Sequence, residues 1–206
     1  MVYEAKKYEA KNFENLIGLA GFSEQLLKNH FALYQGYVNN INKLLDILST
    51  MIKEGKTNTP EYAELKRRLG WEWNGMRLHE LYFENMDKTQ KKLNQTSKLY
   101  KAISLSFGSY ENWENDFKAL GAIRGIGWVV LYYDPVEDRL INAWINEHDV
   151  GHLSGAIPLL VMDVFEHAYM LDYQLKRVDY IEAFFKAINW PIVEKRFDKA
   201  KKMFIS

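Results

Sequence analysis

The chain has 206 residues, 48% of them hydrophobic and 15% aromatic, with 27 basic side chains balanced by 27 acidic ones. That length suits one compact domain or two closely packed halves, and the charge balance speaks against a nucleic-acid or membrane-surface footprint. There is no cysteine, which excludes disulfides, thiolate metal sites and cysteine nucleophiles, so a transition metal here must be held by His, Asp or Glu.

Residues 1–7 carry no apolar leader and no run reaches membrane-spanning length, so a cytoplasmic location is expected. Residues up to about 22 read as irregular. Ser23, followed by Glu24, Leu26 and Leu27, reads as a helix start. The helix it opens runs to about Lys53, with His30, Tyr34 and Tyr37 along one stripe. Gly55 to Pro60 is a loop. A second helix spans about Thr59 to Met86 and carries His79 among large apolar residues. A loop this short makes the two helices antiparallel neighbours, which would let His30 and His79 face each other. Taken singly, each is an ordinary core histidine.

Residues 87–108 are polar and then apolar, and read as the boundary between a helical N-terminal half (1–95) and a second half (96–206). Ser109 opens a helix ending near Gly121. The period then changes. Gly127 to Tyr133 is a strand, Asp134 to Asp138 a turn, and Leu140 to Ile145 the partner strand. A loop with His148 and His152 leads to a third strand, Ile157 to Asp163. Helices from about Asp179 and about Pro191 close the chain. The expected class is α+β: an antiparallel helical hairpin followed by an α/β half with a three-stranded antiparallel sheet.

The third strand empties into Asp163-Val164-Phe165-Glu166-His167-Ala168-Tyr169. On spacing alone the simpler reading is favoured, with Asp163 capping a following helix and His167 an unremarkable histidine. The five histidines, however, all lie among Trp, Tyr and Phe. Three of them with one aspartate would complete a mononuclear site with an open position.

The segment from Asp163 to Tyr169 resembles the Asp-x-Trp-Glu-His-Ala-Tyr signature of the iron/manganese superoxide dismutases. Tyr37-Val38-Asn39-Asn40 after His30, Leu78-His79-Glu80-Leu81-Tyr82-Phe83, Phe107-Gly108-Ser109, Gly127-Trp128 and Ala187-Ile188-Asn189-Trp190 follow in the family's order. The resemblance covers roughly residues 20 to 200. It implies disproportionation of superoxide to oxygen and hydrogen peroxide by one iron or manganese ion per subunit. His30, His79, Asp163 and His167 would be the protein ligands, with solvent as the fifth. Tyr37 would stand at the substrate channel, and Trp128 in an aromatic wall. Glu166 would reach the partner's His167, in a homodimer or a dimer-based tetramer.

The chain departs from the family's pattern at several positions. His30 stands seven residues before Tyr37 where the family usually has eight, which puts Asn29 at the ungapped position. A one-residue deletion that removes a helical bulge is the preferred explanation, because seven residues keep one face of a regular helix. Gly75 stands where many iron enzymes carry a glutamine bonded to the metal-held solvent, and His148 is expected to take that role. His152 is read as a loop or interface histidine. Phe165 replaces the signature tryptophan. Met170 and Tyr34 replace the two ends of a bond between subunits, so the interface is expected to survive with other contacts. Val161, bulkier than the glycine common in manganese enzymes, tilts the expectation toward iron. Two alternatives stay open: a non-haem iron oxygenase using two histidines and one carboxylate, and a non-catalytic structural relative.

Overall fold

The computed structural model describes residues 6–89 and 91–203. The stretch 1–5, part of the N-terminal segment read for a leader, lies outside the described residues. Helix α1 (Glu24–Lys53) begins where Ser23 accepts the Leu26 N–H on its hydroxyl, an N-cap that satisfies a donor the helix cannot. Helix α2 (Pro60–Glu84) begins the same way, with Thr59 accepting from Tyr62 N–H and Pro60 in the first turn. The two pack as the expected hairpin, α1 burying His30, Tyr34, Val38, Ile41, Leu44 and Leu48 at steps of three and four.

The boundary segment holds a helix that the sequence reading did not include. Helix α3 (Lys98–Phe107) is capped by Ser97 and ends at Gly108, whose φ of +82° suits glycine. It buries only Leu99 and Ile103 while leaving Leu105 in solvent, too narrow a stripe to stand out as periodic. Helix α4 (Tyr110–Gly121) starts after the Ser109 cap.

Strands β1 (Gly127–Asp134), β2 (Arg139–Asn146) and β3 (Ile157–Asp163) form an antiparallel sheet in the order β2-β1-β3. The central strand is buried nearly throughout, with Trp128 opposite both Ile145 and Asp163. After β3 the chain makes one 3-10 turn (Glu166–Ala168) and a single turn of helix, α5 (Met170–Tyr173). Helices α6 (Arg177–Ala187) and α7 (Trp190–Met203) complete it.

The hairpin and the sheet are joined at the far end of α2. Asn85, wholly buried, accepts the Val161 N–H and donates to the Val161 carbonyl, so its amide pairs with β3 as a further strand would. Arg196 of α7 donates to the Leu81 and Leu159 carbonyls and pairs with Glu84. These contacts set α2, which carries His79, against β3, which ends in Asp163.

Candidate metal centre

His30 lies two turns before Tyr37 in an α1 that is α-helical throughout. The structure brings His30, not Asn29, to the inside. Asn29 is exposed and accepts a hydrogen bond from Gln25. On α2, Trp71, Gly75 and His79 follow at four-residue steps and share a face. The Asp163 side chain does not cap a helix: one of its oxygens accepts the Phe165 N–H at 2.8 Å. The backbone is extended at Phe165, and the turn after it carries His167 back over the carboxylate.

Three imidazole nitrogens converge on the other Asp163 oxygen. His30 Nε2 and His167 Nε2 lie 3.2 Å from Oδ2, and His79 Nε2 lies 3.6 Å away. All four candidate donor atoms lie within 4.8 Å of one another. His79 donates its Nδ1–H to the Gly75 carbonyl at 2.5 Å, which leaves the Nε2 lone pair facing inward. That nitrogen is buried with no hydrogen-bond partner among the described residues. Tyr180 donates its hydroxyl to the Asp163 carbonyl at 2.5 Å, holding the strand end.

The electrostatics are those of a cation site. Burial lowers the pKa of His30, and lowers that of His79 far below the ordinary imidazole value, with the neighbouring His30 adding to it. Both rings are therefore uncharged near neutral pH. Burial alone would push the Asp163 carboxyl up, but the imidazoles of His167 and His30 beside it hold it well below the usual carboxylate range. The result is a wholly buried carboxylate with imidazole nitrogens around it. A buried anion needs a partner charge, and inward lone pairs beside a carboxylate suit a transition-metal ion. The four residues fit such an ion.

A second constellation adjoins the first. His148 is fully buried. Trp128 donates its indole N–H to His148 Nδ1 at 3.0 Å, which places the hydrogen of the neutral ring on Nε2. Nε2 lies 2.7 Å from the Tyr37 hydroxyl oxygen and donates to it. The Tyr37 ring stacks on His79, 5.2 Å between centroids. Burial lowers the His148 pKa to about 4 and pushes that of Tyr37 up. A β-carbon at Gly75 would stand 2.6 Å from the Tyr37 ring, so that ring occupies the room a side chain on α2 would need. Phe165 stacks between His148 and His167, at 4.7 and 5.1 Å. Trp71 lies 4.5 Å from His148 and 5.7 Å from Tyr37. Its part in the site was missed in the sequence, although its four-residue step from Gly75 was available. Val161 is buried two residues before Asp163, on the same face of β3.

Of the residues expected between subunits, Glu166 and Met170 are on the surface. Tyr34 is not. It is buried inside its own subunit, donating to the Glu80 carboxylate and accepting the Lys11 backbone N–H. Its ring packs against His79 and Phe83 of α2.

The family model for the iron/manganese superoxide dismutases, C-terminal domain, matches residues 95–196. Over 203 residues the chain is 37% identical to a superoxide dismutase [Fe] of Aquifex aeolicus, covering 96% of this chain and 94% of that protein. It is 35% identical to a superoxide dismutase [Mn] of Haloarcula marismortui, over 88% of each. A superoxide dismutase [Fe] of Cupriavidus metallidurans is 33% identical, over 97% of this chain and 98% of that one. Near full-length similarity, a helical hairpin set on a three-stranded sheet, and three histidines closed around one buried aspartate agree: the chain belongs to the iron/manganese superoxide dismutases.

Proposed function

We propose that His30, His79, Asp163 and His167 hold the one iron or manganese ion per subunit with which this superoxide dismutase converts superoxide to oxygen and hydrogen peroxide. The observation that carries the ligand set is the single Asp163 oxygen approached by three imidazole nitrogens, one of them without any other partner among the described residues. When bound, the ion supplies a one-electron redox change that zinc could not.

The residues around it handle binding and protons. His148 donates to the Tyr37 oxygen, which leaves the phenolic hydrogen available to a reduced substrate. With both ring nitrogens of His148 already used by Trp128 and Tyr37, His148 acts through Tyr37 in this reading. Trp128 fixes the His148 tautomer, and Phe165 and Trp71 keep bulk water from the pair. The reaction takes up two protons for every two superoxide ions; burial pushes the Tyr37 pKa up, so the phenol keeps its hydrogen near neutral pH and offers it as a hydrogen bond, the net protons coming from solvent.

Iron is the metal we favour, on the bulk of Val161 beneath Asp163. The same reading includes a division at residues 1–95 and 96–206, a homodimer or dimer-based tetramer involving Glu166 and Met170, and a cytoplasmic location. No helix among the described residues is long and apolar enough to cross a membrane. Loading the protein with iron and with manganese separately, then measuring bound metal and superoxide disproportionation, tests the metal assignment. One ion per chain in each case with higher turnover for iron is expected. Activity confined to the manganese form would reverse the preference.

A further inference from the structure

The Tyr37–His148 bond depends on where the backbone of His148 sits. That backbone is held by a side chain the site has not yet used. His148 leaves β2 in a tight reversal, with Asn146 and Val150 exchanging backbone hydrogen bonds across it. Glu147 turns at φ +49°. Gly151, at φ +108°, passes so close to the Trp144 carbonyl that a β-carbon would stand 2.5 Å from its oxygen. The loop thereby folds His152 back under His148. His152 Nε2 lies 2.9 Å from the His148 carbonyl oxygen, and His152 Nδ1 lies 2.9 Å from the Tyr132 hydroxyl.

The chemistry of these partners fixes the directions. A carbonyl can only accept, so His152 Nε2 carries the hydrogen, and Nδ1 accepts from Tyr132. The donors then run in one sense, from the Tyr132 hydroxyl to His152 and from His152 to the His148 carbonyl. The His148 ring in turn donates to Tyr37. Strand β1 thus holds His148 at two points: Trp128 bonds its ring directly, and Tyr132 bonds its backbone by way of His152. His152 also borders a cavity of about 450 Å³ lined by Trp73, Leu81, Leu153 and Pro158. Packing is open on that side, which leaves the two hydrogen bonds to seat the ring.

We propose that His152 is a positioning residue for the dismutation reaction: it sets the His148 backbone so that Nε2 meets the Tyr37 oxygen. This rests on the reading of Tyr37 and His148 as the proton-handling pair. His152→Phe keeps a ring and removes both hydrogen bonds, whereas His152→Gln can still donate to the carbonyl and accept from Tyr132. In the metal-loaded enzyme, kcat should fall about five- to tenfold in the Phe variant, with kcat/KM and bound metal changing less than about twofold. The Gln variant should recover most of the lost kcat. Crystal structures should show the His148–Tyr37 hydrogen bond broken in the Phe variant and present in the Gln variant. Should His152→Phe not fold, Tyr132→Phe removes only the far donor and should give a smaller loss of the same kind. Full kcat with an intact His148–Tyr37 bond in the Phe variant, or a loss that Gln does not repair, would overturn the proposal. Tyr37→Phe measured alongside separates the two readings. Full kcat there puts the fault in the pair itself, and a loss there without one in His152→Phe puts it in His152.

Discussion

At the scale of single residues, the choice between Asn29 and His30 decides whether the site is complete. Only His30 faces Asp163; Asn29 is turned to solvent. His30→Ala should therefore lose bound metal and dismutation together, because three donors remain of four. Asn29→Ala should keep both, as metal analysis of the two purified variants would reveal. His148 carries a separate prediction about pH. Its folded pKa lies at about 4, against 6.5 in the unfolded chain, because burial disfavours the charged ring. Between those values the unfolded chain binds more protons, so stability is full above pH 6.5 and falls as pH drops toward about 4. The contribution is on the order of 3 kcal/mol at most. His30 and His79 shift in the same direction, so the test is a comparison. Urea midpoints from pH 7 to pH 4 should fall less steeply for His148→Gln than for the parent, and parallel slopes would refute the assignment.

At the scale of elements, much was legible because each signal was local. Ser23 and Ser109 announced their helices, apolar runs bounded by turn residues announced the strands, and Asp163 with His167 stood in a recognisable string. What was not legible depends on tertiary partners. The two buried residues of α3 do not make a visible stripe. Tyr34 was expected between subunits, and nothing in its own helix announced that its burial is supplied by Glu80 on α2 and by the N-terminal arm at Lys11. The spacing of Asp163 and His167 suggested a helix, yet an extended residue and one 3-10 turn achieve the same convergence. Asn85 gave no signal at all, since its partner, Val161, lies 76 residues further on. It joins the helix carrying His79 to the strand carrying Asp163, so its removal should act on both. Asn85→Ala leaves the Val161 N–H and carbonyl buried without those bonds. It should cost about 2–4 kcal/mol in denaturant unfolding and weaken metal retention against a chelator. A loss of stability with unchanged retention would show that the two halves hold the ligands independently.

At the scale of the whole molecule, the four candidate ligands differ in their exposure. His30, His79 and Asp163 are exposed by 2% or less, while the His167 side chain remains 28% exposed. On the segment around and after His167 the chain displays Glu166, Met170, Leu171, Leu175 and Val178, with Leu175 exposed by 89%. Gln174, at φ +52°, turns the segment so that Leu175 points outward. Apolar side chains gathered beside a carboxylate at the mouth of a site are a surface made to be covered. In the proposed dimer a two-fold axis covers it with the same surface, and the Glu166 carboxylate of one subunit is expected at the His167 ring of the other. A stable pairing of this kind buries on the order of 800 Å² per subunit. The protein should therefore sediment near twice its 24.3 kDa subunit mass at micromolar concentration. Met170→Arg combined with Leu175→Asp should shift it to the monomer and make His167 accessible, with faster loss of metal to a chelator as the second sign. A monomeric parent protein would remove the dimer from the proposed function. A variant that stays dimeric would move the interface to another face and leave His167 partly exposed on this one.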